Sequence, residues 1–247
     1  MRCVAGLMLG LLVTPALAIV NGRPVSQPRF LADYSWAVAL ENPLSGGVCS
    51  AALVSPTWVI TAAHCTAIYK YVLVGNTARS RARKVGVAEA IRHPGYDSVT
   101  HQFDVGLLRL SEPVDDLQAL PLISRGEGML LLVTNAPAQV LGWGKTPGAG
   151  FSDRLVAADI YLRNLAFLGT DLVFVDRAGP CGGDSGGPLV VQSLDRAAVL
   201  VGVASTTDGN LCAKGGGLAA YTHVDVIRSF IREHVDDLPG SQGRNQR

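Results

Sequence analysis

Short apolar runs separated by turn-forming residues constrain this chain more than any other feature. They include Ser35–Leu40, Trp58–Thr61, Tyr71–Val74, Val85–Ile91, Val105–Leu110, Leu155–Leu162, Leu172–Val175, Pro188–Val191 and Val199–Ser205, with glycine, proline, asparagine and aspartate gathered between them. Runs of about 4–8 residues bounded in this way suit strands and are short for helices, so they predict an all-β barrel or sandwich. Only Val224–Val235 shows helical spacing, with Ile227, Phe230, Ile231 and Val235 on one face. With 48% hydrophobic and 17% charged residues in 247, the chain has ample material for a buried core and is not of the disordered class. No internal repeat is evident, and Pro239–Arg247 reads as a polar, disordered tail.

The first 18 residues read as a secretory signal. Arg2 is the positive start, Val4 to Val13 the apolar stretch, and Ala16-Leu17-Ala18 a small-residue cleavage site. A membrane span would need about 20 apolar residues, and Pro15 interrupts this run. The expectation is therefore a secreted or periplasmic protein with no membrane contact after processing. Removing Arg2 from 21 Lys+Arg leaves 20 against 20 Asp+Glu, so the processed chain is neutral and has no charge for nucleic acid. The basic run Arg79-Ser80-Arg81-Ala82-Arg83-Lys84 reads as a solvated surface loop. Loss of Cys3 leaves Cys49, Cys65, Cys181 and Cys212, an even set that in an exported protein implies two disulfides with three connectivities open. No CxxC pair or closely spaced Cys/His cluster suggests a metal, and no cofactor motif stands. Around Gly144-Lys145-Thr146 the phosphate-loop pattern fails because Gln139 occupies the first glycine position.

Three motifs carry chemistry. Gly183-Asp184-Ser185-Gly186-Gly187 sets a serine among small residues, where a substrate carbonyl can reach both its hydroxyl and the surrounding N–H groups. Upstream stands Thr61-Ala62-Ala63-His64-Cys65, and between them Phe103-Asp104-Val105-Gly106. A serine hydroxyl needs an adjacent base, and an imidazole that titrates near neutral pH can take and return its proton. The pattern Gly183-x-Ser185-x-Gly187 also fits the nucleophile elbow of α/β-hydrolases, but Gly186-Gly187-Pro188 is a poor start for the helix that fold requires.

The chain order His64, Asp104, Ser185, with these flanks, resembles the chymotrypsin-like serine proteases over residues 19–238. That resemblance implies an all-β protein of two six-stranded antiparallel barrels, residues 19–120 for the first and 121–238 for the second together with a C-terminal helix. It implies a catalytic triad of His64, Asp104 and Ser185, an oxyanion hole from the N–H groups of Gly183 and Ser185, and disulfides Cys49–Cys65 and Cys181–Cys212. It pairs the ammonium of a new N-terminus at Ile19 with Asp184, an activating switch made by cutting at Ala18–Ile19. Ala138 and Val191 fall where another family disulfide would lie.

Ser205-Thr206-Thr207 matches the strand on which the family lays its substrate, with the Ser205 hydroxyl near Asp104 and Thr206 in place of the usual aromatic residue. Gly179, Pro180, Thr207 and Ala219 then line the primary pocket. Gly179 stands six residues before Ser185, where a trypsin-like enzyme carries an aspartate, so small or medium aliphatic side chains are expected, as for elastases; Asp176 or Asp208 pointing inward would overturn this. Leu141-Gly142-Trp143-Gly144 matches a packing motif. His101 maps to a subsite wall, although an exposed loop histidine is its ordinary reading. The implied partners are polypeptide substrates and protein protease inhibitors, acting on a monomer. The alternative is a catalytically silent homologue that serves as a binding or antimicrobial protein.

Overall fold

The computed structural model describes residues 19–67, 69–146, 150–163, 172–176, 178–209, 212 and 217–239, with the backbone alone for 172–174 and 176. The segment read as a leader and all of the tail beyond 239 lie outside the described residues. A short strand β1 (Arg23–Pro24) and helix α1 (Gln27–Asp33) lead into β2 (Ala37–Glu41), β3 (Val48–Ser55), β4 (Trp58–Thr61), β5 (Tyr71–Val74), β6 (Arg83–Arg92) and β7 (Gly106–Leu110). Strands β2 to β7 close an antiparallel barrel in the order β2-β3-β4-β7-β6-β5.

After α2 (Arg125–Leu131) come β8 (Pro137–Gly142), the small hairpin β9 (Lys145–Thr146) and β10 (Gly150–Phe151), then β11 (Val156–Arg163), β12 (Leu172–Asp176), β13 (Pro188–Gln192), β14 (Ala198–Thr207) and β15 (Leu218–His223). These pair as β11-β12-β15-β14-β13-β8, and β8 also pairs with β11, so the second sheet closes on itself with β1 added along β11. The last helix, α3 (Val224–His234), lays Val224, Ile227, Phe230 and Ile231 onto β14 and β15. That is the apolar face its spacing predicts, with Val235 buried just beyond it.

Strand β3 is buried along its whole length because it also packs against β8 and β13 of the second barrel. The interior is mainly Val, Leu, Ile and Ala, with Trp143, Tyr221 and Phe30 its largest fully buried side chains. Both disulfides form as the family resemblance implies.

Two expectations need correction. Helical spacing points to one helix, yet α1 and α2 are helical as well, each only seven residues long and too short to establish a periodicity. The basic run is mostly solvated, as expected, but it is not a loop throughout, since Arg83 and Lys84 open β6. Arg79–Arg81 forms a 3₁₀ turn, Arg79 bonds Ser152 O at 2.9 Å and pairs with Glu41, and Arg83 pairs with Asp116. Ser80 adds two hydrogen bonds to Asp153, so this run ties the first barrel to the strand entering the second.

Candidate active site

His64 sits on a three-residue 3₁₀ turn, Ala63–Cys65, directly after β4. The Cys49–Cys65 bond anchors that turn to β3. Asp104 precedes β7 and is fully buried. Its Oδ2 lies 2.8 Å from His64 Nδ1 and accepts the Ser205 hydroxyl at 2.7 Å, while Oδ1 accepts the His64 backbone N–H at 3.1 Å. The Thr222 hydroxyl donates to the Asp104 carbonyl at 3.1 Å. Burial pushes the Asp104 carboxyl up, but the hydrogen bond from His64, the His64 charge, the Ser205 hydroxyl and the His64 amide together outweigh it and hold Asp104 below the usual carboxylate value.

Ser205 reaches Asp104 through a strand irregularity. Ala204 pairs with Tyr221 and Thr206 with Ala220, so Ser205 is an extra residue with no opposite partner on β15. A β-bulge of this kind re-aims one side chain, and here it points the hydroxyl at the carboxylate.

Ser185 is half-buried in the loop 181–187 that precedes β13. Its carbonyl accepts the Ser50 N–H at 2.8 Å and lies 3.8 Å from Cys65 Sγ, so the serine loop rests against the His64 turn. Gly186 has φ +80°, and a Cβ on it would stand 2.0 Å from Thr61 Oγ1 and 2.8 Å from the Ala62 nitrogen. Only glycine permits that approach. Gly183, at φ +96°, would likewise drive a Cβ to 2.6 Å from the Phe151 ring. The N–H groups of Asp184, Gly186 and Gly187 are bonded to Cys181 O, Ala204 O and Gly187's own turn partner Asp184 O. Among the described residues those of Gly183 and Ser185 have no protein acceptor.

Asp184 is buried, with Oδ1 accepting the Gly144 N–H at 2.6 Å and Oδ2 the Cys181 N–H at 2.9 Å. Burial pushes its carboxyl up to about 7 against those two bonds. Among the described residues no cation is paired with it. The Leu141–Gly144 motif forms its cradle, since a Cβ on Gly142 or Gly144 would lie 2.1 or 2.4 Å from a carboxylate oxygen. Trp143 fixes the cradle by donating Nε1–H to Thr77 O at 2.8 Å. Ile19 is fully buried, and Val20 N–H bonds Gly179 O at 3.0 Å.

Of the residues expected at the primary pocket, Gly179 and Pro180 are buried, and Thr207 pairs across the sheet with buried Ala219. Asp208 is exposed and its carboxylate accepts the Leu218 N–H at 3.1 Å, closing the β14–β15 pair. The side chain of Asp176 and residues 210–211 and 213–216 lie outside the described residues.

His101 departs from its ordinary reading. It is half-buried, its ring edge-on to His64 with centroids 6.3 Å apart, and its Nδ1 is 3.8 Å from Asp104 Oδ2. Residues 97–103 force it there: Asp97 accepts the N–H groups of Val99 and Thr100, and His101 itself adopts φ +59°. Sequence reasoning also passed over Ser50, which bonds Ser185 O, Gly183 O and Trp143 N–H. Its position beside Cys49 was the one available signal.

A family model described as Trypsin matches residues 19–231. The chain is similar to Trypsin from Phaedon cochleariae, 29% identical with 90% of each protein covered, and to Trypsin 5G1 from Aedes aegypti, 31% identical over 81% of this chain and 80% of that one. It is also similar to the Suppressor of tumorigenicity 14 protein homolog from Bos taurus, 27% identical over 82% of this chain but 27% of that longer protein.

Proposed function

The chain belongs to the trypsin family of serine proteases, and from that premise we propose that it is an endopeptidase working through His64, Asp104 and Ser185. The observation that carries this reading is the 2.8 Å contact between His64 Nδ1 and the fully buried Asp104 Oδ2. A carboxylate there holds the ring proton on Nδ1, which leaves the Nε2 lone pair for the Ser185 hydroxyl.

Ser185 Oγ then adds to the scissile carbonyl while Nε2 takes its proton. The N–H groups of Gly183 and Ser185, unpaired among the described residues, receive the negative charge on oxygen, each contributing about 3–4 kcal/mol to the transition state. The imidazolium returns its proton to the leaving amine, and water cleaves the acyl-enzyme by the same route. Substrate backbone lies along Ser205-Thr206-Thr207.

The primary side chain is small or medium and aliphatic, an elastase-like preference. Gly179 brings no charge, Ala219 and Pro180 are apolar, and Asp208 is spent on Leu218. Among the described residues a substrate Lys or Arg would be desolvated there without a partner. Residues 1–18 act as an export leader, and its removal frees the Ile19 ammonium for Asp184.

Two measurements test the proposal. A fluorophosphonate probe is expected to label Ser185 in the protein starting at Ile19 and to lose that label in His64→Ala. A peptide library is expected to report cleavage after Ala or Val. A folded, unlabelled parent protein would replace the enzyme reading with that of a binding homologue, and cleavage dominated by Lys or Arg would overturn the pocket assignment.

A further inference from the structure

His64, His101 and Asp104 present one ligand atom each within 4.8 Å of one another, a cluster assembled from residues 37 or more positions apart on one side and three on the other. We propose that these three side chains form a site for a zinc-class divalent cation, and that filling it switches the peptidase off. The inhibitory part rests on the triad reading; the binding part does not.

The donor set comes first. Two imidazoles and a carboxylate with an open fourth position is the ligand chemistry of zinc and its neighbours rather than of calcium or magnesium. A neighbouring cluster, Cys49, His64 and Cys65, is excluded because both sulfurs are bound in a disulfide.

Geometry agrees. Ligand atoms about 2.0–2.1 Å from a tetrahedral metal stand about 3.3 Å apart. His64 Nδ1 and Asp104 Oδ2 are 2.8 Å apart, and His101 Nδ1 and Asp104 Oδ2 are 3.8 Å apart. On binding, the first edge would open by about half an ångström and the second close by the same amount, while the His64–His101 edge lies within 4.8 Å. At 3.8 Å the His101 contact is too long for a hydrogen bond. Among the described residues His101 Nδ1 is the one buried side-chain nitrogen or oxygen with no hydrogen-bond partner. It stands 3.8 Å from the Asp104 carboxylate, where a shared cation would give both atoms a partner.

The surroundings are built to hold this arrangement. Ser205 Oγ already bonds the ligating oxygen, the kind of outer contact that orients a metal-bound carboxylate. The loop carrying His101 is fixed by Asp97 and by Phe103 stacked on His93 at 4.7 Å. His64 and His101 keep about a third of their side chains exposed, at 32% and 36%, which leaves a way in and room for a water ligand.

The consequence for catalysis follows from the tautomer. A neutral imidazole has one ring proton, and a metal on His64 Nδ1 occupies the atom that carries it in the active form. The proton must then sit on Nε2, the atom that serves Ser185 on the triad reading, so that it can only donate and cannot take the hydroxyl proton. The cation thus acts on the base without touching the serine.

The test uses the protein starting at Ile19, with zinc followed by calorimetry and cobalt(II) followed by visible absorption. The parent is expected to bind one ion reversibly, with the strong bands of a four-coordinate cobalt site, and to lose on the order of tenfold or more in peptidase rate as the site fills. His101→Asn keeps a residue that tolerates the left-handed backbone, and it is expected to weaken zinc binding on the order of tenfold or more. Its inhibition, expressed against its own uninhibited rate, should shift to the same extent. Ser185→Ala should bind zinc like the parent. Equal zinc affinity in His101→Asn, loss of binding in Ser185→Ala, or no saturable one-to-one binding by the parent would each overturn the site. A protein that binds zinc in this way yet cleaves no peptide would leave the metal site standing and remove the peptidase reading.

Discussion

Asp104 shows how one buried charge is made tolerable. It has no exposed surface, and an unpaired carboxylate there would be protonated. Three donors prevent that: the His64 ring, the His64 amide and the Ser205 hydroxyl. Because its folded value is held below the usual one, Asp104 adds stability above the ordinary carboxylate range, and that stability is lost as the pH falls through its lowered value. Ser205→Ala removes one of the lowering contacts. The variant is expected to begin acid unfolding at a higher pH and to lose about 1–3 kcal/mol at neutral pH, because a buried acceptor loses a partner. Denaturation followed across pH 2–7 on both proteins, a range of about five units around the carboxylate value, checks it; superimposable curves would remove Ser205 from the account.

At the level of elements, the His64 turn is too short to hold itself. It spans Ala63–Cys65 and relies on β4 before it and the disulfide to β3. Replacing Cys49 and Cys65 together by Ala opens a loop with a sequence separation of 16, for which chain entropy predicts a loss of about 3 kcal/mol. The urea midpoint measures this, and an unchanged midpoint would mean that β3 and β4 packing alone positions the base. The same elements show what was legible in the sequence. β4 and β5 were readable residue for residue, since Pro56 stands just ahead of the first apolar run and Gly75-Asn76 ends the second. β3 was harder, because Ser50 and Ser55 are buried polar residues spent on the other barrel and on a turn. Helix α2 hides behind Gly126 and Gly128, although its capping box, Ser124 with Glu127, was a usable signal. His101 was marked only by the resemblance, as a subsite wall: its approach to His64 depends on a positive φ that periodicity does not report.

For the whole molecule, the pairing proposed between Asp184 and a free amino end at Ile19 would couple processing to stability. In the full chain Asp184 is raised to about 7 by burial, and the neighbouring Tyr221 hydroxyl is pushed up by burial and by that carboxylate. A carboxyl raised in the folded state favours folding fully below its unfolded value near 3.8, and the advantage of the protonated form is lost as the pH rises through 7. A shift of this size corresponds to a loss on the order of 4 kcal/mol over that interval. On the proposed switch, a chain beginning at Ile19 carries an ammonium that would pair with the ionised carboxylate and reverse the trend. Unfolding free energies measured from pH 5 to 8, about three units spanning the raised value, are therefore expected to fall for protein with a leader fused before Ile19 and to hold for protein starting at Ile19. Asp184→Asn should flatten the curve of the fused form, because the titrating group is gone while Gly144 N–H keeps an acceptor. Parallel curves for the two N-termini would detach Asp184 from Ile19 and leave the switch without a physical basis.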